Sequence, residues 1–118
     1  MPKSTITIDV TLDEQKMPED IRWNASGSSA EDERKAKGLF LAFWDGEDRA
    51  ALRIDLWTKD MMVDEMTDFF YQTFMSMADT YQRATRNAEI SQDIKKFAQG
   101  FYKKYQDEQV KEQAGSKG

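Results

Sequence analysis

The sequence predicts an α+β domain: a four-stranded antiparallel sheet in meander order, followed by two helices packed on one of its faces. Three observations lead there. Residues 4–57 hold short runs in which apolar residues recur with the period of a strand. From about residue 60 the period changes to three and four residues, the spacing of a helix face. The turns between the strand runs are mostly short, which makes neighbours in sequence neighbours in the sheet.

The first strand covers residues 4–12, where Ile6, Ile8, Val10 and Leu12 alternate with Thr7, Asp9 and Thr11. Residues 13–16 are a charged turn, and Pro18 interrupts regular structure. A short second strand at residues 21–25 points Ile21 and Trp23 to the core. Residues 26–37 are Ser/Gly-rich and then charge-dense; without an apolar stripe they read as a surface loop. The third strand, residues 38–44, is apolar on both faces, with Leu39, Leu41 and Phe43 on one and Phe40, Ala42 and Trp44 on the other. Asp45-Gly46 signals a hairpin turn. In the fourth strand, residues 51–57, Leu52, Ile54 and Leu56 alternate with Arg53, Asp55 and Trp57.

The first helix begins between Asp60 and Asp64 and runs to about Thr85. Its core stripe is Val63, Met66, Phe70, Phe74, Met77, Ala78, Tyr81 and Ala84, widened by Phe69 and Thr73. Asp60, Asp64, Glu65 and Asp68 crowd its start, and Arg83 and Arg86 its end, as the helix dipole favours. Asn87 caps a second helix carrying Ile90, Ile94, Phe97, Ala98, Phe101 and Tyr105 on one stripe, with Gly100 a weak point inside it. The domain covers residues 1–105. Residues 106–118, with Val110 their one large apolar residue, read as a flexible C-terminal tail.

Composition removes several function classes. The net charge of −5 sets the chain against phosphate backbones and anionic bilayers, so neither nucleic acid nor a membrane surface is an expected partner. There is no cysteine and no histidine, which removes disulfides, thiolate sites, the usual general base and the usual transition-metal ligand. The N-terminus has no apolar signal region, and no apolar run reaches the length of a membrane span. The expectation is a cytoplasmic, non-enzymatic protein with no cofactor and no membrane insertion.

Two acidic groupings invite a metal reading. Asp60, Asp64 and Asp68 lie four apart on one helix face, but a calcium cage needs further oxygen ligands, and helix-start electrostatics accounts for the row. Asp45-Gly46-Glu47-Asp48 lacks the alternation and closing glutamate of a calcium loop and fits a hairpin turn. Methionines at positions 61, 62, 66, 75 and 77 form a soft set: Met66 and Met77 fall on the core stripe, while Met61, Met62 and Met75 beside Phe69 suit an adaptable docking patch. The main candidate surface is the second face of the sheet. Phe40, Trp44 and Trp57 lie there with Arg53 and Asp55, and Lys59 follows. Helices cover one face only, so large aromatics on the other mark an interaction surface, unless the 26–37 loop or the tail folds over them.

The run Leu52-Arg53-Ile54-Asp55-Leu56-Trp57-Thr58-Lys59-Asp60-Met61 resembles the gliding motility-associated GldC family of Bacteroidetes. Val63-Asp64-Glu65-Met66, Ser76-Met77-Ala78-Asp79-Thr80, Arg83-Ala84-Thr85, the opening Lys3-Ser4-Thr5-Ile6 and Trp44-Asp45 fit the same family, so the resemblance spans residues 3–105. It implies an accessory role in gliding motility through a protein partner, another component of that machinery, or through a homo-oligomer. It implies no catalytic chemistry. The element order also resembles the SecB export chaperone, which keeps a second reading open: a holder of unfolded clients.

Overall fold

The computed structural model describes residues 2–27 and 32–116. The chain forms two compact units, Met1–Met61 and Met62–Gly118, with the division falling just ahead of the first helix. The boundary between these units falls inside the residue 1–105 span that the sequence reads as one domain.

The first unit is all strand. Its elements are β1 (Ile6–Leu12), β2 (Pro18–Ala25), β3 (Arg34–Ala36), β4 (Gly38–Asp45) and β5 (Ala50–Trp57). The expected single four-stranded sheet is corrected to two sheets, β1-β2-β3 and β4-β5, both antiparallel. The meander path survives, because β3 and β4 are successive pieces of one extended run separated by a bend at Lys37. β2 pairs with the piece before the bend and β5 with the piece after it. The charge-dense end of the expected 26–37 loop is therefore a strand, and residues 28–31 lie outside the described residues. Tertiary pairing overrode weak local propensity there.

The register of the first sheet sorts its side chains. Ile8 faces Trp23 and Val10 faces Ile21, which is 1% exposed and also faces Ala36. Asp9, Arg22 and Lys35 line up on the opposite, polar face. There Asp20 bonds the Arg22 guanidinium at 2.9 Å and lies 3.7 Å from the Lys35 ammonium. Exposed pairs of this kind fix register more than they add stability. Ser26 prolongs the β1–β2 ladder: its N–H donates to the Thr5 carbonyl at 3.0 Å and its hydroxyl accepts from the Thr5 N–H at 2.8 Å.

The second unit is a helical hairpin, α1 (Val63–Thr85) and α2 (Ala88–Ser116). The Met62 N–H donates to Glu65 Oε1 at 3.1 Å at the start of α1. At its end Arg86 turns left-handed, with φ 61°, and returns its N–H to the Gln82 carbonyl at 2.7 Å. Asn87 then caps α2 by accepting the Ile90 N–H at 3.0 Å. The helices meet through rings and small residues. Phe74 packs edge-on against Phe97 and Phe101, with centroids 5.6 and 5.5 Å apart, and Tyr71 lies against Tyr102 at 5.0 Å. Ala78, Ala98 and Ser91 are completely buried, and nearer the turn the Ser91 hydroxyl donates to the Ala78 carbonyl at 2.8 Å.

Burial departs from the periodic reading. Val63, Met77, Tyr81, Ile90 and Phe97 keep the helical spacing yet are exposed. The helical hairpin closes on the side of Phe70, Phe74 and Ala78, so that part of the expected stripe on α1 meets α2 while Val63, Met77 and Tyr81 stay exposed. α2 also continues through residue 106 to Ser116, where a tail was expected. Residues 101–113 contain no glycine or proline, and Lys103 and Asp107 pair at helical spacing, 3.5 Å apart.

The packing at the turn end gives opposite expectations for two substitutions. Ser91→Ala removes the buried inter-helix hydrogen bond and should cost about 1 kcal/mol. Gly100→Ala adds a methyl into open space inside a helix and should stabilise by about 0.5–1 kcal/mol. Urea denaturation followed by circular dichroism measures both; equal midpoints for the two variants would contradict this account of the hairpin.

Candidate functional site

The register of β4 and β5 decides which candidates share a face. Gly38 lies opposite Trp57, Phe40 opposite Asp55, Ala42 opposite Arg53 and Trp44 opposite Ala51. Phe40, Trp44, Arg53, Asp55 and Trp57 therefore stand on one face of this hairpin. Leu39, Leu41, Phe43, Leu52, Ile54 and Leu56 stand on the other.

The five do not form a cluster. Trp44 and Trp57 occupy opposite ends of the strip, six residues apart along β5 once Trp44 is mapped to Ala51, or about 20 Å. Arg53 and Asp55 lie between them. Each tryptophan faces a residue too small to cover it, Ala51 or Gly38, and the two are 65% and 56% exposed. Gly38 also makes room for Met61: a Cβ there would sit 3.0 Å from Met61 Sδ, and the flexible methionine would have to shift.

The opposite face, expected to be core, is exposed as well. Phe43, Leu52 and Ile54 are 58%, 57% and 54% exposed. The physical reason lies in the sheet: β4 and β5 pair only with each other among the described residues, and two strands offer little mutual cover.

Lys59 does not join the tryptophan face. Its ammonium pairs with the carboxylate of Asp13 in the β1–β2 turn. Asp13 also accepts the N–H groups of Gln15 at 2.8 Å and Met17 at 3.0 Å, so one carboxylate organises the whole turn. The Lys59 ammonium, followed by these amides, holds the Asp13 carboxyl below its ordinary pKa, and Asp13 in return raises that of Lys59. Thr58, 2% exposed, donates its N–H to the Lys37 carbonyl at 2.8 Å, and its hydroxyl reaches both that carbonyl and the Asp60 carboxylate. Thr58-Lys59-Asp60 thus clasps the end of β5 to the Lys37 bend and to the β1–β2 turn. Composition alone gave no sign of this; the signal was the dense polar run directly after a strand.

The carboxylate row expected on one helix face separates in the same way, and Asp60 lies ahead of α1. Asp60 is held by Thr58, which lowers its pKa. Asp64 accepts the Glu65 N–H at 2.9 Å. Asp68 lies by the Tyr102 hydroxyl and raises the pKa of that phenol. No three acidic side chains converge on a metal-sized site among the described residues. Asp45 closes the β4–β5 turn by accepting the N–H of Glu47 at 2.9 Å and of Asp48 at 3.3 Å. Met61, Met66 and Met75 are half-buried and Met62 and Met77 exposed, which reverses the expectation for Met75 and Met77. No helix among the described residues is long and apolar enough to cross a membrane.

The family model for gliding motility-associated GldC-like proteins matches residues 18–107, from the start of β2 well into α2. The chain belongs to the GldC-like family. The match takes in the bend, Thr58-Lys59-Asp60 and the whole β4–β5 hairpin, with Asp13 of the clasp just outside it, and it associates this GldC-like chain with gliding motility. No curated protein and no solved structure matches the chain.

The clasp has a pH signature. Asp13 is depressed in the folded protein, so its contribution is present above the ordinary carboxylate pKa and is lost as pH falls through the lower folded value. Lys59 is raised, so its contribution persists through neutral pH and is lost as pH climbs through the elevated ammonium value. In Lys59→Gln the acid transition of the Gln15 and Met17 amides should move to higher pH, as followed by NMR chemical shift. An unmoved transition would mean that the ion pair does not set it.

Proposed function

We propose that this GldC-like chain is a small, cytoplasmic, non-enzymatic accessory protein of the gliding machinery, acting by binding another protein component. The observation that carries the reading is the Trp44–Trp57 strip. Two exposed indoles flank Arg53 and Asp55 on a regular strand surface. Tryptophan and arginine are the residue types most enriched at binding hot spots, and a charged pair between aromatic anchors supplies register to a docked partner. Family membership supplies the process.

The second reading, SecB-like holding of unfolded clients, is supported by the apolar exposure of Phe43, Leu52 and Ile54 on the other face. The two readings differ in stoichiometry and selectivity. An accessory subunit binds one folded partner at a fixed ratio. A holder suppresses aggregation of unrelated unfolded proteins.

The test is complementation in a gliding bacterium deleted for this gene, with Trp44→Ala and Trp57→Ala singly and together. Both sites are exposed, so the variants should keep the wild-type circular dichroism. Each should weaken partner binding by about thirtyfold or more, as loss of a hot-spot residue does, and the double variant should fail to restore spreading. Full complementation by a folded double variant would sink the strip as the docking site. Suppression of aggregation by wild type, with no partner of fixed stoichiometry, would favour the holding role.

A further inference from the structure

β5 has one paired edge and one open edge. Its partner is β4, and no third strand joins that sheet among the described residues. The open edge carries no proline and no register shift, two of the devices that keep an edge strand from pairing with another chain, and its two charged residues, Arg53 and Asp55, are of opposite sign.

The ladder shows which residues own that edge. The Thr58 N–H bonds to the Lys37 carbonyl at 2.8 Å, one step beyond the Gly38–Trp57 pair. Hydrogen-bonded and non-hydrogen-bonded pairs alternate in an antiparallel ladder. Leu56, Ile54, Leu52 and Ala50 therefore direct their backbone groups to β4. The N–H and C=O groups of Ala51, Arg53, Asp55 and Trp57 point outward along the open edge.

We infer that this edge pairs antiparallel with the β5 edge of a second copy of the chain, about a two-fold axis at Ile54. A strand that pairs with its own copy must join outward-turned residues to outward-turned residues, which leaves three registers centred on the middle of β5. Centring on Arg53 sets Arg53 against itself, and centring on Asp55 sets Asp55 against itself; both place like charges directly opposite. Centring on Ile54 sets Arg53 of each copy opposite Asp55 of the other, twice. In that register Leu52 faces Leu56 of the second copy and the small Ala51 faces the large Trp57. Among the described residues neither Arg53 nor Asp55 has an ion-pair partner within its own chain. The sequence Leu-Arg-Ile-Asp-Leu at 52–56 is thus complementary to itself when reversed.

The product is a four-stranded sheet in the order β4-β5-β5-β4. It joins the exposed Phe43, Leu52 and Ile54 and the half-buried Leu39, Leu41 and Leu56 from both copies into one apolar face. Three or more strands with an apolar face is the arrangement that stands in water where an isolated hairpin does not. The interface is isologous, so it closes at two copies. It rests on the open edge and does not require a partner at the Trp44–Trp57 strip.

Sedimentation velocity over a concentration series tests this on the full chain. Wild type should sediment at twice the 13.7 kDa chain mass. Arg53→Asp alone, or Asp55→Arg alone, sets like charges opposite and should weaken the dimer on the order of a hundredfold. The double swap should restore it. An equimolar mixture of the two single variants should form a heterodimer. Ile54 sits in a non-hydrogen-bonded pair at the axis, where Cα atoms approach about 4.5 Å, within disulfide reach. The chain has no other cysteine, so oxidised Ile54→Cys should cross-link to a covalent dimer while Ala42→Cys on β4 should not. A wild-type monomer throughout, with Ile54→Cys left uncrosslinked, overturns the proposal. So does a dimer that survives both single charge swaps.

Discussion

The bend at Lys37 is the constraint on which the strand unit depends. A single extended run from Arg34 to Asp45 would pair with β2 and β5 along its full length and give one sheet. The bend gives the first three residues to β2 and the last eight to β5. It is held by the Lys37 carbonyl, which accepts both the N–H and the hydroxyl of Thr58. Gly38 follows at once, where a Cβ would press on Met61. Backbone groups that leave one ladder must find other partners, and Thr58 supplies one where the ladders part.

The consequences reach the surface. A two-stranded sheet exposes both its faces and both its edges, so β4–β5 presents aromatic, aliphatic and hydrogen-bonding surface at once. The indoles of Trp44 and Trp57 stand free of cross-strand cover because Ala51 and Gly38 lie opposite them. In the helical unit the equivalent constraint is close approach. Ala78, Ala98 and Ser91 are small and completely buried between the helices, and the phenylalanine and tyrosine pairs pack across the same seam.

The Thr58-Lys59-Asp60 segment shows how one run, Leu52 to Asp60, divides between surface and architecture. Its strand portion, Leu52–Trp57, presents alternate residues to two faces and an open edge. Its polar end is held in structural contacts: Thr58 to the bend, Lys59 to the β1–β2 turn and Asp60 back to Thr58. Sequence reasoning placed Lys59 with Trp57 because it follows the strand. A long flexible ammonium goes instead to the carboxylate that the fold brings near, and Asp13 lies far away in sequence.

The sequence by itself determined what depends on neighbours one to four residues apart. Period-two alternation placed β1, β4 and β5 and sorted Phe40, Trp44, Arg53, Asp55 and Trp57 from Leu39, Leu41 and Phe43, because side-chain direction in a strand follows from parity. The change of period placed α1, and Asn87 marked the start of α2. Tertiary structure alone decided which strands paired, that charge-dense 34–36 became β3, that the tryptophans stand at opposite ends of a strip, and that Met77 and Phe97 stay exposed on helical stripes. Strand pairing and burial are settled by partners far apart along the chain, and no local pattern encodes which of several compatible partners wins.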